Sequence, residues 1–119
     1  DLSIHNGRFT MDVYNHFFFH CGENKACLNA EFEDFIFGSG RERNELGYYT
    51  TTPEIEILLY GYRNVFDRGG KFKEKHINAI KKLFTKNSSL KNEGAFSTIE
   101  SLDSRAKDVL QEILKNVHL

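Results

Sequence analysis

The sequence predicts an all-α domain, a compact antiparallel bundle of about five helices. Three observations carry that expectation. Apolar residues recur at i, i+3, i+4 and i+7 offsets through most of the chain after Leu28. Glycines and one proline fall where helices stop and start. The connections between the periodic stretches are mostly short, which favours antiparallel neighbours.

Residues 1–9 are polar and read as an irregular lead-in to a single domain covering 1–119. Thr10 is a plausible N-cap for a helix over Met11 to Cys21, with Val13, Tyr14, Phe17 and Phe18 on one face. The same aromatic and β-branched content also permits a strand there. Gly22 closes the segment. A second helix is expected from Asn24 to Phe37, with Leu28, Phe32, Phe35 and Ile36 on its stripe. Gly38 then suits the residue after a helix, where φ > 0 costs glycine nothing. Glu31, Glu33 and Asp34 lie off the stripe and should face water.

Residues 38–52, GSGRERNELGYYTTT, read as a long loop punctuated by glycine. Loops of that length in compact domains are often functional. Thr52-Pro53-Glu54 signals a helix start: Thr52 caps, Pro53 fits the first turn, and Glu54 and Glu56 complement the dipole. Ile55, Leu58, Leu59, Tyr62, Val65 and Phe66 should form its buried face, and Gly69-Gly70 should stop it. A further helix follows over about Lys71 to Thr85, burying Phe72, Ile77, Ile80, Leu83 and Phe84. Asn87 to Gly94 is a polar loop. The last helical stretch, Ser97 to Val117, has a break near Asp103, which can cap a new start. Its stripe is Ala106, Val109, Leu110, Ile113, Leu114 and Val117.

The 119 residues contain 39% hydrophobic and 28% charged residues, ordinary for a soluble domain that needs no staples. The eleven Phe are unusual and point to a core of large rings. No apolar run approaches the ~20 residues of a membrane span. The N-terminus lacks a basic stretch followed by an apolar one, so no signal peptide is expected. Met11 is the only methionine and a possible native start. Two cysteines do not make a disulfide framework, which makes the cytoplasm the default location. Cys21 and Cys27 are then thiols, with a local disulfide as the alternative.

Four constellations have the residue types of catalysis or ligation. His16, His20, Cys21 and Cys27 are ligand types that zinc prefers, and His16 and His20 would share a helix face. No paired C-x-x-C accompanies them, so ordinary histidines on an amphipathic segment are the plainer reading. A cysteine with a nearby histidine is the minimal nucleophilic pair, but no orienting third group is identifiable. His5, His76 and His118 are scattered and read as surface histidines. Gly38-Ser39-Gly40-Arg41 contains glycines without the strand and helix of a phosphate loop. The carboxylates of Glu31, Glu33, Asp34, Glu54 and Glu56 are assigned to a solvated face rather than to acid–base chemistry. The sequence therefore predicts no enzyme, no metal and no cofactor.

The charge distribution is more informative. Residues 1–60 hold ten acidic and four basic groups, a net of −6, and residues 61–119 hold seven acidic and twelve basic, a net of +5. The acidic half is densest from Glu23 to Glu56. There it combines carboxylates, which steer a basic partner, with Tyr48 and Tyr49, which supply rigid contact area. The basic stretch from Arg63 to Lys91 includes Lys71, Lys73, Lys75, Lys81, Lys82 and Lys86. It could neutralise phosphates, or simply be a solvated face.

The stretches EFEDFIFGSGRERNELGYY (Glu31 to Tyr49) and TTPEIEILLYGYRNVFDRGGKF (Thr52 to Phe72) resemble bacterial immunity proteins of contact-dependent growth inhibition, a toxin–immunity system. The features shared are a small α-rich domain, an acidic helix, a Gly-Arg loop and a Thr-Pro helix start. The resemblance implies a cytoplasmic protein that binds and neutralises one cognate toxin, typically a nuclease domain, without catalysis or cofactor. That diverse group has no fixed site residues, so the expected contact surface follows from charge and loop placement: Glu31, Glu33, Asp34, Glu42, Glu45, Tyr48, Tyr49, Glu54 and Glu56. The alternatives are a small nucleic-acid-binding regulator using the Lys71–Lys86 helix and a metal-binding or hydrolytic enzyme using His16, His20, Cys21 and Cys27.

Overall fold

The computed structural model describes residues 30–118 except 39, 40, 44 and 93. It also describes the backbone of 2–5, 10–13, 18–21 and 24–27, and Tyr49 by backbone alone. Among the described residues, five α-helices build the core, and three two-stranded antiparallel hairpins accompany them. The all-α expectation therefore holds for the packed body, and the first quarter of the chain departs from it.

β1 (Leu2–His5) pairs with β2 (Thr10–Val13), and β3 (Phe18–Cys21) pairs with β4 (Asn24–Cys27). The irregular segment expected over 1–9 thus contains a strand. The helix expected over Met11 to Cys21 is replaced by strands at both its ends. Aromatic and β-branched residues suit a pleated surface as well as a helix face, and strand pairing decides between them here. The helix expected from Asn24 is shortened for the same reason: β4 takes its first four residues and α1 runs Ala30–Phe37.

α1 turns Phe32 and Ile36 inward, four residues apart. Gly38 follows as expected, and its N–H donates to Asp34 O at 3.0 Å. It does so without positive φ, which is found only at Gly47, Gly69, Gly70 and Gly94 among the described glycines. Close approach accounts for the glycine instead, since a Cβ there would stand 3.1 Å from Asp34 O.

The long loop expected over 38–52 is a hairpin. β5 (Arg41–Arg43) pairs with β6 (Tyr49–Thr51), Arg41 opposite Thr51 and Arg43 opposite Tyr49. Gly47, at φ 88°, makes the turn, and Arg43 Nε donates to its carbonyl at 3.2 Å.

α2 (Pro53–Tyr62) starts where the Thr-Pro signal put it. Thr52 is extended and its carbonyl accepts from Glu56 N at 3.0 Å, but its hydroxyl makes no cap bond and is buried with no hydrogen-bond partner among the described residues. Ile55, Leu58 and Tyr62 are buried as expected, while Leu59, Val65 and Phe66 are only partly so. Ile57 and Gly61 are buried as well, so α2 is covered on more than one side. At Gly61 the helix crosses α5 (Arg105–Val117) closely. A Cβ on Gly61 would overlap Ile113 Cδ1 and stand 2.7 Å from Val109 Cγ1.

α2 does not end cleanly. Arg63–Asp67 form a wider, π-helical turn, against which β3 packs. Gly69 and Gly70, at φ 62° and 88°, then reverse the chain, and Gly70 N donates to Asn64 O at 3.0 Å. α3 (Glu74–Lys86) buries His76, Ile80 and Phe84 at successive four-residue steps.

A short 3₁₀ turn (Ser88–Lys91) leads to α4 (Ser97–Leu102) and α5. The break near Asp103 is present. Asp103 Oδ1 accepts from Arg105 N at 3.0 Å and so caps α5 as expected. α5 buries Ala106, Val109, Ile113 and Val117. Leu114 was expected in the same stripe, but it is 47% exposed and lines an open pocket with Phe84, Leu90, Phe96 and Leu110. Large rings join the layers: Phe32 meets Tyr62 edge-on at 5.9 Å, and Tyr62 meets Phe66 at 5.7 Å. No helix among the described residues is long and apolar enough to cross a membrane.

Candidate interaction surfaces

The acidic segment is continuous in the chain, from α1 through the β5–β6 hairpin into α2. Glu31 and Asp34 are exposed on α1, and Glu42, Glu45 and Tyr48 are exposed on the hairpin. Glu54 and Glu56 are half-buried in the first turn of α2. Glu33 corrects the expectation that all three α1 carboxylates face water, because its side is turned into the body and the residue is buried. It follows Phe32 directly, and on so short a helix the buried arc reaches the neighbouring position. The Tyr49 backbone pairs with Arg43, and its side chain lies outside the described residues.

Apolar side chains are exposed along the same stretch. Phe37 is 53% exposed, Leu46 82% and Tyr48 69%. Only Leu114 joins them as an exposed large apolar residue among the described residues.

The second surface is built around the π-helical turn. Its centre is Asn64, fully buried where the α2 stripe would otherwise continue. Its Nδ2 donates to Tyr60 O at 2.7 Å and approaches His76 Nδ1 at 2.9 Å. Its Oδ1 accepts from Lys73 N at 2.9 Å. The amide orientation follows from the backbone partners, since the oxygen must meet an N–H and the nitrogen a carbonyl. His76 Nδ1 is therefore an acceptor, and the ring's proton sits on Nε2.

His76 was expected on the surface. It is buried instead, its ring packed on Tyr60 at a centroid distance of 5.1 Å. Burial first, then the charges of Arg63, Lys73, Lys75 and Arg68, hold its pKa below the ordinary value. Those four cations are exposed, as are Lys71, Lys81, Lys82 and Lys86. Arg63 Nε stands 4.0 Å from Asp67 Oδ2, a long and solvated pair.

The corner between α4 and α5 holds a third polar group. Asp103 is buried and takes a two-pronged contact from Arg105, Nε to Oδ1 at 3.1 Å and the terminal nitrogen to Oδ2 at 3.0 Å. The guanidinium lies 5.8 Å from the Tyr62 ring centre and 5.6 Å from that of Phe66. Burial, and then the Asp103 carboxylate, push the Tyr62 phenol well above its ordinary pKa, so it stays neutral.

His16, Ser39 and Gly40 lie outside the described residues. Cys21 stands opposite Asn24 and Cys27 opposite Phe18, at the two ends of the β3–β4 ladder. Three residue rises, ~10 Å, separate those positions, more than the ~7 Å a disulfide tolerates between Cα atoms. Arg41 opens a strand rather than a phosphate loop, and His118 is exposed at the end of α5. Among the described residues no group of three or more His, Cys, Asp or Glu could hold a metal ion.

Sequence reasoning missed Asn64, Gly61 and the burial of His76. The available signal for Asn64 was a short polar side chain between Tyr62 and Val65-Phe66, five residues before a Gly-Gly pair. No family model, curated protein or solved structure matches the chain.

Proposed function

We propose that this chain is an immunity-type protein that binds and neutralises one cognate toxin, a basic nuclease domain, through the segment from α1 to the start of α2. One observation carries the reading. Exposed apolar side chains and exposed carboxylates occupy the same stretch of chain. Phe37, Leu46 and Tyr48 are there, interspersed with Glu31, Asp34, Glu42 and Glu45. Interfaces draw their energy from a few apolar or aromatic anchors and their association rate from surrounding charge. Between residues 30 and 56 seven carboxylates face two arginines, a field that attracts a basic active-site cleft. Glu54 and Glu56 add to that field from the rim, and the buried Glu33 leaves the contact set. On this reading the protein works in the cytoplasm, where such a toxin domain would act.

The test looks for a toxin domain encoded immediately upstream and, with that domain purified, measures binding rates by stopped flow. Glu31→Lys with Asp34→Lys should lower the association rate at least tenfold at low salt, with a much smaller effect at high salt. Tyr48→Ala with Leu46→Ala should act mainly on dissociation. Absence of binding by that domain, or association rates unaffected by the charge reversals, rejects the reading.

A further inference from the structure

The basic surface calls for a different partner. Asn64 ties the backbone of Lys73 to the π-helical turn, and Gly70 N closes the same loop onto Asn64 O. Arg68 Nε donates to Lys71 O at 3.0 Å and stiffens the reversal between them. These bonds bring Arg63 and Arg68, from the end of α2, to Lys73 and Lys75, at the start of α3, around one buried ring. Among the described residues, Asp67 and Glu74 are the carboxylates flanking them on the same elements. Gathering four exposed cations is unfavourable in the free protein and becomes favourable when an anion arrives.

α3 extends the surface. Lys75, Lys82 and Lys86 recur at seven and four residues, which on a 3.6-residue helix keeps them within one narrow ridge. Their rises along the axis are ~10.5 Å and ~6 Å. All three are exposed, while Ile80 and Phe84 of the same helix are buried. Glu74 is the only carboxylate on α3.

We propose that the π-helical turn and the outer ridge of α3 bind the phosphodiester backbone of a nucleic acid duplex. Arg63 and Lys73 meet phosphates at one end, and Lys75, Lys82 and Lys86 follow the backbone along the helix. A duplex fits better than a single strand, because α3 exposes no aromatic ring on which unpaired bases could stack. It fits better than a second copy of this chain. An acidic segment of one copy on the basic ridge of another is a head-to-tail contact, and such contacts propagate unless the rotation closes a ring. Recognition is independent of sequence, since lysines meet phosphates as point charges.

Fluorescence anisotropy with a labelled duplex of about 20 base pairs tests this. The full chain should bind with micromolar affinity at about 50 mM salt and lose roughly 500-fold by about 200 mM, as five neutralised phosphates require. Lys75→Glu with Lys82→Glu and Lys86→Glu should weaken binding at least tenfold, and so should Arg63→Glu with Lys73→Glu, with thermal melting kept near that of the wild type. Glu31→Lys with Asp34→Lys should leave duplex affinity undiminished, which separates this surface from the acidic one. No duplex binding at low salt overturns the proposal, as does unchanged affinity in folded reversal variants. Equally tight binding of polyglutamate would assign the ridge to an acidic protein instead, and salt-sensitive self-association without DNA would assign it to a second copy.

Discussion

Asn64 and His76 are twelve residues apart in the chain, and Asn64 Nδ2 lies 2.9 Å from His76 Nδ1. The contact joins the π-helical end of α2 to the first turn of α3. Both partners are buried, Asn64 Nδ2 also donates to Tyr60 O, and Oδ1 accepts from Lys73 N. π-Helical turns recur at functional sites because the widened turn displaces a side chain from its helical register. Here the displaced residue fastens the element that bears the basic surface.

The contact requires an unprotonated Nδ1, which makes stability depend on pH. Burial, and then Arg63, Lys73, Lys75 and Arg68, hold the folded-state pKa of His76 below the ordinary 6.5. The unfolded chain then takes up a proton before the folded one as pH falls. Stability from this group is complete above about pH 6.5 and declines as pH drops from there through the folded-state value. Melting temperature should therefore fall between about pH 7.5 and about pH 5.5, and His76→Gln should flatten that dependence. A variant that keeps the wild-type slope would assign the dependence to another group.

Gly61→Ala should destabilise the fold, although alanine is the better helix former by about 1 kcal/mol. The added methyl overlaps Ile113 Cδ1 and crowds Val109 Cγ1, and overpacking of this kind costs about 1–3 kcal/mol. The steric term wins because α2 and α5 are each held by other buried residues and cannot separate freely. Ile113→Val in the same chain should restore part of the loss. Urea melts of the two single variants and the double variant close the cycle, and additive losses would mean the helices have already moved apart.

Asp103→Ala should cost about 2–3 kcal/mol by chemical denaturation. It removes the acceptor for Arg105 N at the start of α5 and leaves the guanidinium beside Tyr62 and Phe66 without its carboxylate. Asp103→Asn retains an oxygen for the cap and should lose about half as much. Equal losses in the two variants would show that the ion pair, and not the cap, sets the corner.

Much of the helical body was legible in the sequence. Pro53, the Gly69-Gly70 pair and Asp103 marked boundaries because each has a local conformational reason that survives packing. Ile80, Phe84, Val109 and Ile113 were legible because their spacing repeats over several turns. The first quarter was not. Four-residue strands give too few alternations to outweigh an apolar pattern compatible with both structures. The Arg41–Thr51 hairpin was hidden because its strands are three residues long and β5 is exposed throughout. The acidic segment was legible as charge and aromatic content, yet Glu33 shows that a carboxylate's direction on a short helix is not. Asn64 and His76 have polar side chains, which read as surface until their partners from distant turns are known. Gly61 reads as a weak point in a helix, and only the opposing helix supplies its reason.

The crossing at Gly61 also governs the order of events when the chain is made. Val109 and Ile113 follow Gly61 by about fifty residues, and ribosomes add roughly 5–20 residues per second. For several seconds α2 emerges with Ile55, Ile57, Leu58 and Tyr62 awaiting the helix that covers part of them. Local pairing of α2 with α3 can begin early, but the core cannot close until α5 arrives. Nascent chains of this protein are thus exposed to chaperones and proteases through α2, the helix that the finished fold hides most completely.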